Sequence, residues 1–119
     1  MPNIRSRETV AERLWDWEFL NRALPGKIRP MDIDGIVEKN GHFLVLEGKP
    51  LGQNIPYGQR LTLERLAAQD ETSVLILYGE PGDPEEMKLM GYHDEPVSTT
   101  KERVRELVGR WVESTKTLS

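Results

Sequence analysis

The pair Asn40-Gly41 constrains this chain more than any other feature, because both residues tolerate the positive φ that a two-residue type I′ turn demands. The runs on either side are rich in Ile, Val, Phe and Leu, have strand length and end in turn formers. The spacing therefore predicts an antiparallel hairpin over about 31–49. With Asn40 and Gly41 as the turn, Lys39 faces His42, Asp34 faces Glu47 and Asp32 faces Lys49. Register decides what this hairpin can do.

Directly opposed residues have Cβ atoms about 5 Å apart, and like charges placed there repel. Two carboxylates so placed need a shared proton, a cation or full solvation. Strand alternation puts Lys49 on the same face as Glu47. Two acids with a lysine alongside can hold a divalent cation and a polarised water next to a phosphate. The alternative on spacing alone is a solvated hairpin end in which Asp32 pairs with Lys49.

An aspartate followed thirteen residues later by Glu-x-Lys on a hairpin, with a glutamine at the start of the next helix, resembles the PD-(D/E)XK nuclease superfamily. Within it, the stretch is most similar to Holliday-junction resolvases and the small phage or prophage nucleases related to them. The resemblance implies a restriction-endonuclease-like core and hydrolysis of DNA phosphodiester bonds, using Mg²⁺ or, in its place, Mn²⁺. It assigns catalytic roles to Asp34, Glu47, Lys49 and Gln59. Asp34, Glu47 and the backbone carbonyl of Gly48 would be the metal ligands. Lys49 would activate or stabilise the attacking water.

The literal Pro-Asp dipeptide is replaced here by Pro30-Met31-Asp32-Ile33-Asp34, so Asp32 competes as a ligand. Asp34 is preferred because it alone faces Glu47. Some members of the superfamily bring a glutamate of the first helix near the metal, which makes Glu8 and Glu12 auxiliary candidates beside the plainer reading of both as solvated surface charge.

At 119 residues the chain is expected to form one domain, 1–119, with an unassisted core. Hydrophobic residues at 37% and charged residues at 30% are those of a globular protein. No apolar run reaches membrane-spanning length and no signal-peptide core opens the chain, so a cytoplasmic location without membrane partners is expected. The absence of cysteine excludes disulfides and zinc–thiolate sites. His42 and His93, the only histidines, form no ligand-spaced cluster. A net charge of −4 argues against a protein that coats nucleic acid nonspecifically, but not against a nuclease whose metal supplies positive charge.

In chain order, a helix is predicted over about 6–20, with Val10, Leu14, Trp15, Trp17 and Phe19 on a broad buried stripe. Leu24-Pro25-Gly26 ends it, and Lys27 and Arg29 follow as candidate DNA-backbone contacts. The hairpin carries apolar side chains on both faces, which predicts a central ribbon covered on both sides by helices. After a Pro- and Gly-containing loop over 50–56, a helix over about 57–69 presents Gln59, Leu63 and Leu66 on one face. Arg60 is a further candidate DNA contact, or a surface partner of Glu64. The apolar run 72–79 predicts a buried strand reached by a βαβ crossover. Residues 80–84 are expected to be loop, 87–93 a short edge strand, and 98–113 a helix opened by a Thr99/Glu102 capping box. Lys101, Arg103, Arg105 and Arg110 give that helix a basic outer face that would suit DNA or a second subunit, but Glu102 and Glu106 intersperse it and the face is read as solvated.

The element order predicts an α/β domain, and the resemblance implies a restriction-endonuclease-like, metal-dependent DNA endonuclease with structure-specific, junction-resolvase-like substrates, serving phage or prophage DNA processing. A homodimer would suit branched or two-strand substrates, since paired sites can cut symmetric strands. Other DNA-processing proteins are candidate partners. The alternative is a non-catalytic DNA-binding or assembly protein on the same fold.

Overall fold

A computed structural model describes residues 15–115. The chain divides into two compact units, Met1–Met31 and Asp32–Ser119.

Of the first unit, the described part holds a single 3-10 turn, Glu18–Leu20. The Glu18 N–H donates to Asp16 Oδ1 at 2.9 Å and fastens the start of that turn. Trp15, Trp17 and Phe19 lie against one another, with ring centroids 5.5 and 6.4 Å apart, and all three are exposed rather than aligned on a buried helical stripe. The predicted helix over 6–20 is thus not continued through 15–17. Its remainder, with Glu8 and Glu12, lies outside the described residues.

The second unit is α/β. Its five strands, β1 (Gly35–Lys39), β2 (His42–Lys49), β3 (Thr72–Glu80), β4 (Asp83–Leu89) and β5 (Val97–Ser98), lie in sheet order 1-2-3-4-5. Only β2 and β3 are parallel, joined by α1 (Tyr57–Ala67); the other neighbours are antiparallel and α2 (Lys101–Ser114) closes the chain. Asn40 and Gly41 take φ of 53° and 82°, as a type I′ turn requires. The register runs from Lys39↔His42 to Gly35↔Leu46, as the turn pair predicts.

Strand periodicity separates the two helices. Leu44, Leu46 and Gly48 face one way on β2; Val45, Glu47 and Lys49 face the other. Gln59 of α1 bonds Glu47 and Lys49, so α1 covers the second of these faces. Lys39 pairs with His42 on the first face, and its ammonium donates to Val112 O, a carbonyl in the last turn of α2. With both faces covered, β3 reads as an unbroken apolar run, and Val74, Leu75 and Ile76 are fully buried. Leu63 docks α1 on this core with no exposed surface.

Five expectations change. The short edge strand expected over 87–93 is instead β4, Asp83–Leu89, an inner strand between β3 and β5. The hairpin is not the central ribbon: β1 is a sheet edge and Ile36 is 57% exposed, while β3 takes the centre. Its first strand starts at Gly35 rather than near 31. Residues 80–84 are no loop, because β3 continues to Glu80 and returns through Pro81-Gly82 directly into β4. A bulge at Tyr78/Gly79 makes that return possible and sets Pro84, which has no N–H to donate, opposite Gly79. The last helix starts three residues later than expected: Thr100 caps it, accepting from the Arg103 N–H at 3.2 Å, and Thr99 is buried with its N–H on Glu85 O.

Candidate active site

At the end of the β1–β2 hairpin away from its turn, four side chains from three segments meet. The ladder stops at Gly35↔Leu46, and one step beyond it Asp34 and Glu47 stand across from each other. The Asp34 N–H donates to Glu47 Oε1 at 3.1 Å, and the Gly48 N–H donates to Asp34 Oδ2 at 2.9 Å. Each acid is thereby held by the main chain beside the other acid. Repulsion between the carboxylates is offset by two charge-assisted bonds.

The other side of the site comes from α1. Gln59 sits in its first turn, where Pro56 starts the helix without donating an N–H. From there Gln59 Nε2 donates to Glu47 Oε2 at 3.0 Å, and Lys49 Nζ donates to Gln59 Oε1 at 2.9 Å. The amide stands between ammonium and carboxylate, and no direct Lys49–Glu47 ion pair forms among the described residues. Glu47 is 3% exposed; Gln59 and Lys49 are half-buried and Asp34 is exposed. A buried carboxylate at the base and an exposed one at the rim make a graded, acidic recess.

Each carboxylate oxygen of Glu47 accepts one bond and keeps one lone-pair direction, and Asp34 Oδ1 accepts none among the described residues. No group of three His, Cys, Asp or Glu side chains that could hold a metal occurs among the described residues. The donors available are thus two carboxylates and nearby main-chain carbonyls. Such a set suits Mg²⁺, which keeps several waters and binds through one or two carboxylates plus substrate phosphate. It does not suit a closed all-protein zinc cage.

Beside this recess opens a cavity of about 570 Å³. Asp34, Gly48 and Lys49 form one wall, the β3–β4 turn a second, and Lys101, Val104 and Arg105 of α2 a third. The basic face of α2, which the sequence offers to DNA or a second subunit but favours leaving in solvent, here shares a cavity with Asp34. The only signal for it is Lys101 and Arg105 one helical turn apart, with Val104 on the same side.

The remaining candidates lie elsewhere. Asp32 is exposed and makes no bond to Lys49, whose ammonium is directed to Gln59. Arg60 is exposed over the Tyr57 ring, 5.4 Å from its centroid, and 3.9 Å from Glu64. Lys27 and Arg29 belong to the first unit, both exposed, with Arg29 Nη1 donating to Gly26 O. Among the described residues no helix is long and apolar enough to cross a membrane.

No family model matches the chain, and no curated protein or solved structure is significantly similar to it.

Proposed function

We propose that this protein is a metal-dependent DNA endonuclease with a restriction-endonuclease-like core, similar to the PD-(D/E)XK nucleases. One observation carries the reading: Gln59 accepts from Lys49 and donates to buried Glu47, while Asp34 and the Glu47–Gly48 segment hold each other. A hairpin placing two acids and a lysine at one end, followed by a crossover helix returning a glutamine to them, is the arrangement the motif spacing implies.

In this reading Asp34, Glu47 and the Gly48 carbonyl hold Mg²⁺, and Mn²⁺ can replace it. When bound, the ion polarises a phosphoryl oxygen and makes a bound water more acidic. The chain does the rest. Glu47, fixed by two hydrogen bonds, needs no reorganisation to offer its oxygens. Lys49 donates to the attacking oxygen or to the phosphoryl oxygens on which negative charge develops. Gln59 sets where the ammonium points. Junction-like substrates and a role in phage or prophage DNA processing follow from the resemblance, and Lys27, Arg29 and Arg60 are the proposed backbone contacts.

The test is cleavage of supercoiled plasmid, linear duplex, single strand and a four-way junction, with Mg²⁺, Mn²⁺ or EDTA. Metal-dependent cutting should fall at least about a hundredfold in Lys49→Ala. Equal cutting by wild type and Lys49→Ala would refute the assignment. No cutting of any substrate by wild type would leave a non-catalytic DNA-binding or assembly protein.

A further inference from the structure

We infer that the cavity between the carboxylate recess and α2 is a subsite for one unpaired nucleotide next to the scissile phosphate, with Lys101 and Arg105 taking the neighbouring phosphate. This rests on the nuclease reading and adds a substrate class to it: strands with an extruded or single-stranded nucleotide at the cut, in preference to continuous duplex.

The walls carry the inference. The cavity floor and sides are largely apolar, from Leu77, Pro81, Pro84 and Val104. The apolar walls themselves give no partner to the sugar–phosphate surface of a duplex, but they match the apolar face of a base taken out of the stack. Its volume, about 570 Å³, is that of a small-ligand site. Charge then orients the strand. Lys101 and Arg105 line the α2 side, whereas Glu80 and Asp83 line the β3–β4 turn. Phosphates are drawn to the helix and repelled from the turn, so the backbone runs from α2 towards Asp34 and Lys49, the two site side chains whose residues line the cavity. Arg105 also lies 3.5 Å from Glu102, but both groups are largely exposed and that pair is weak enough to exchange for a phosphate.

The bulge shapes this wall. Gly79 has φ of 146°, and a Cβ on it would lie 2.5 Å from Asp83 O, so only glycine lets the turn fold back where it bounds the cavity.

The experiment is fluorescence anisotropy of labelled single-stranded, flapped and blunt duplex DNA with Ca²⁺ in place of Mg²⁺. The proteins are wild type, Val104→Trp and Lys101→Glu/Arg105→Glu, each checked for folding by circular dichroism. Wild type should bind single-stranded and flapped DNA about tenfold tighter than blunt duplex. Val104→Trp, which fills the cavity, should lose that preference and keep its duplex affinity. The surface pair Lys101→Glu/Arg105→Glu should weaken binding and lower the slope of log affinity against log salt by about 2. Equal wild-type affinity for all three DNAs would overturn the subsite while leaving a metal-dependent nuclease intact. So would an unchanged preference in folded Val104→Trp, or, if that variant does not fold, an unchanged salt slope in the surface pair. Retained preference in a protein that never cuts would instead sink the nuclease reading and keep the subsite.

Discussion

Gln59 joins two side chains of opposite charge, with its carbonyl towards Lys49 and its amide NH₂ towards Glu47. Neither interaction survives an apolar replacement. Gln59→Leu leaves a nearly buried carboxylate short of one donor and should lower stability by about 1–3 kcal/mol in urea unfolding. It should also reduce metal-dependent cleavage, because Lys49 loses the partner that aims it. Tyr78 offers a second check at this scale. Burial, reinforced by the charge of Glu86, raises its phenol pKa above 10.0. A group raised in the folded state contributes stability fully present below the unfolded value and lost as pH climbs through the folded one. Unfolding free energy should therefore decline above about pH 10, and Tyr78→Phe should flatten that decline. The Asp34–Glu47 pairing was legible in the residues, since turn chemistry sets the register and a period of two sets the faces. The main-chain donors that secure it, Asp34 N–H and Gly48 N–H, were not: every residue carries such a group, and only the fold says which ones meet a carboxylate.

The β3–β4 connection shows how an element escapes local reading. Residues 80–84, with Pro81, Gly82, Asp83 and Pro84, have the composition of a loop. A bulge at Gly79 and a two-residue turn nevertheless keep them within the ladder. Gly79→Ala should destabilise the second unit by more than about 1 kcal/mol by thermal or urea melts, since strained φ and a main-chain clash act together. The start of α2 moved for a related reason. Thr99 and Thr100 cap equally well on local grounds, but a main-chain bond to Glu85 on β4 ties Thr99 to the sheet just beyond β5 and leaves Thr100 to cap. In both places a sheet neighbour distant in sequence decided between local alternatives.

For the whole molecule, the site stands only while α1 stays docked. Leu63→Ala should cost about 2–5 kcal/mol and, by loosening Gln59, weaken cleavage without touching any charged group. Mg²⁺ should raise the thermal midpoint of wild type, since a ligand bound only by the folded state stabilises it, and Glu47→Gln should abolish that rise. What the sequence determined by itself is the local part. Asn40-Gly41 dictated a type I′ hairpin and its register, the unbroken run of β3 announced a strand buried on both faces, and helical spacing put Gln59 beside Leu63. These follow from φ preferences and side-chain periodicity, which act over a few residues. Which strand lies at the centre, that β1 is an edge, and that α2 brings Lys101 and Arg105 to a cavity shared with Asp34 were decided only by tertiary structure. Those outcomes depend on which apolar faces bury each other across the chain, and such contacts leave no periodic trace in the residues that make them.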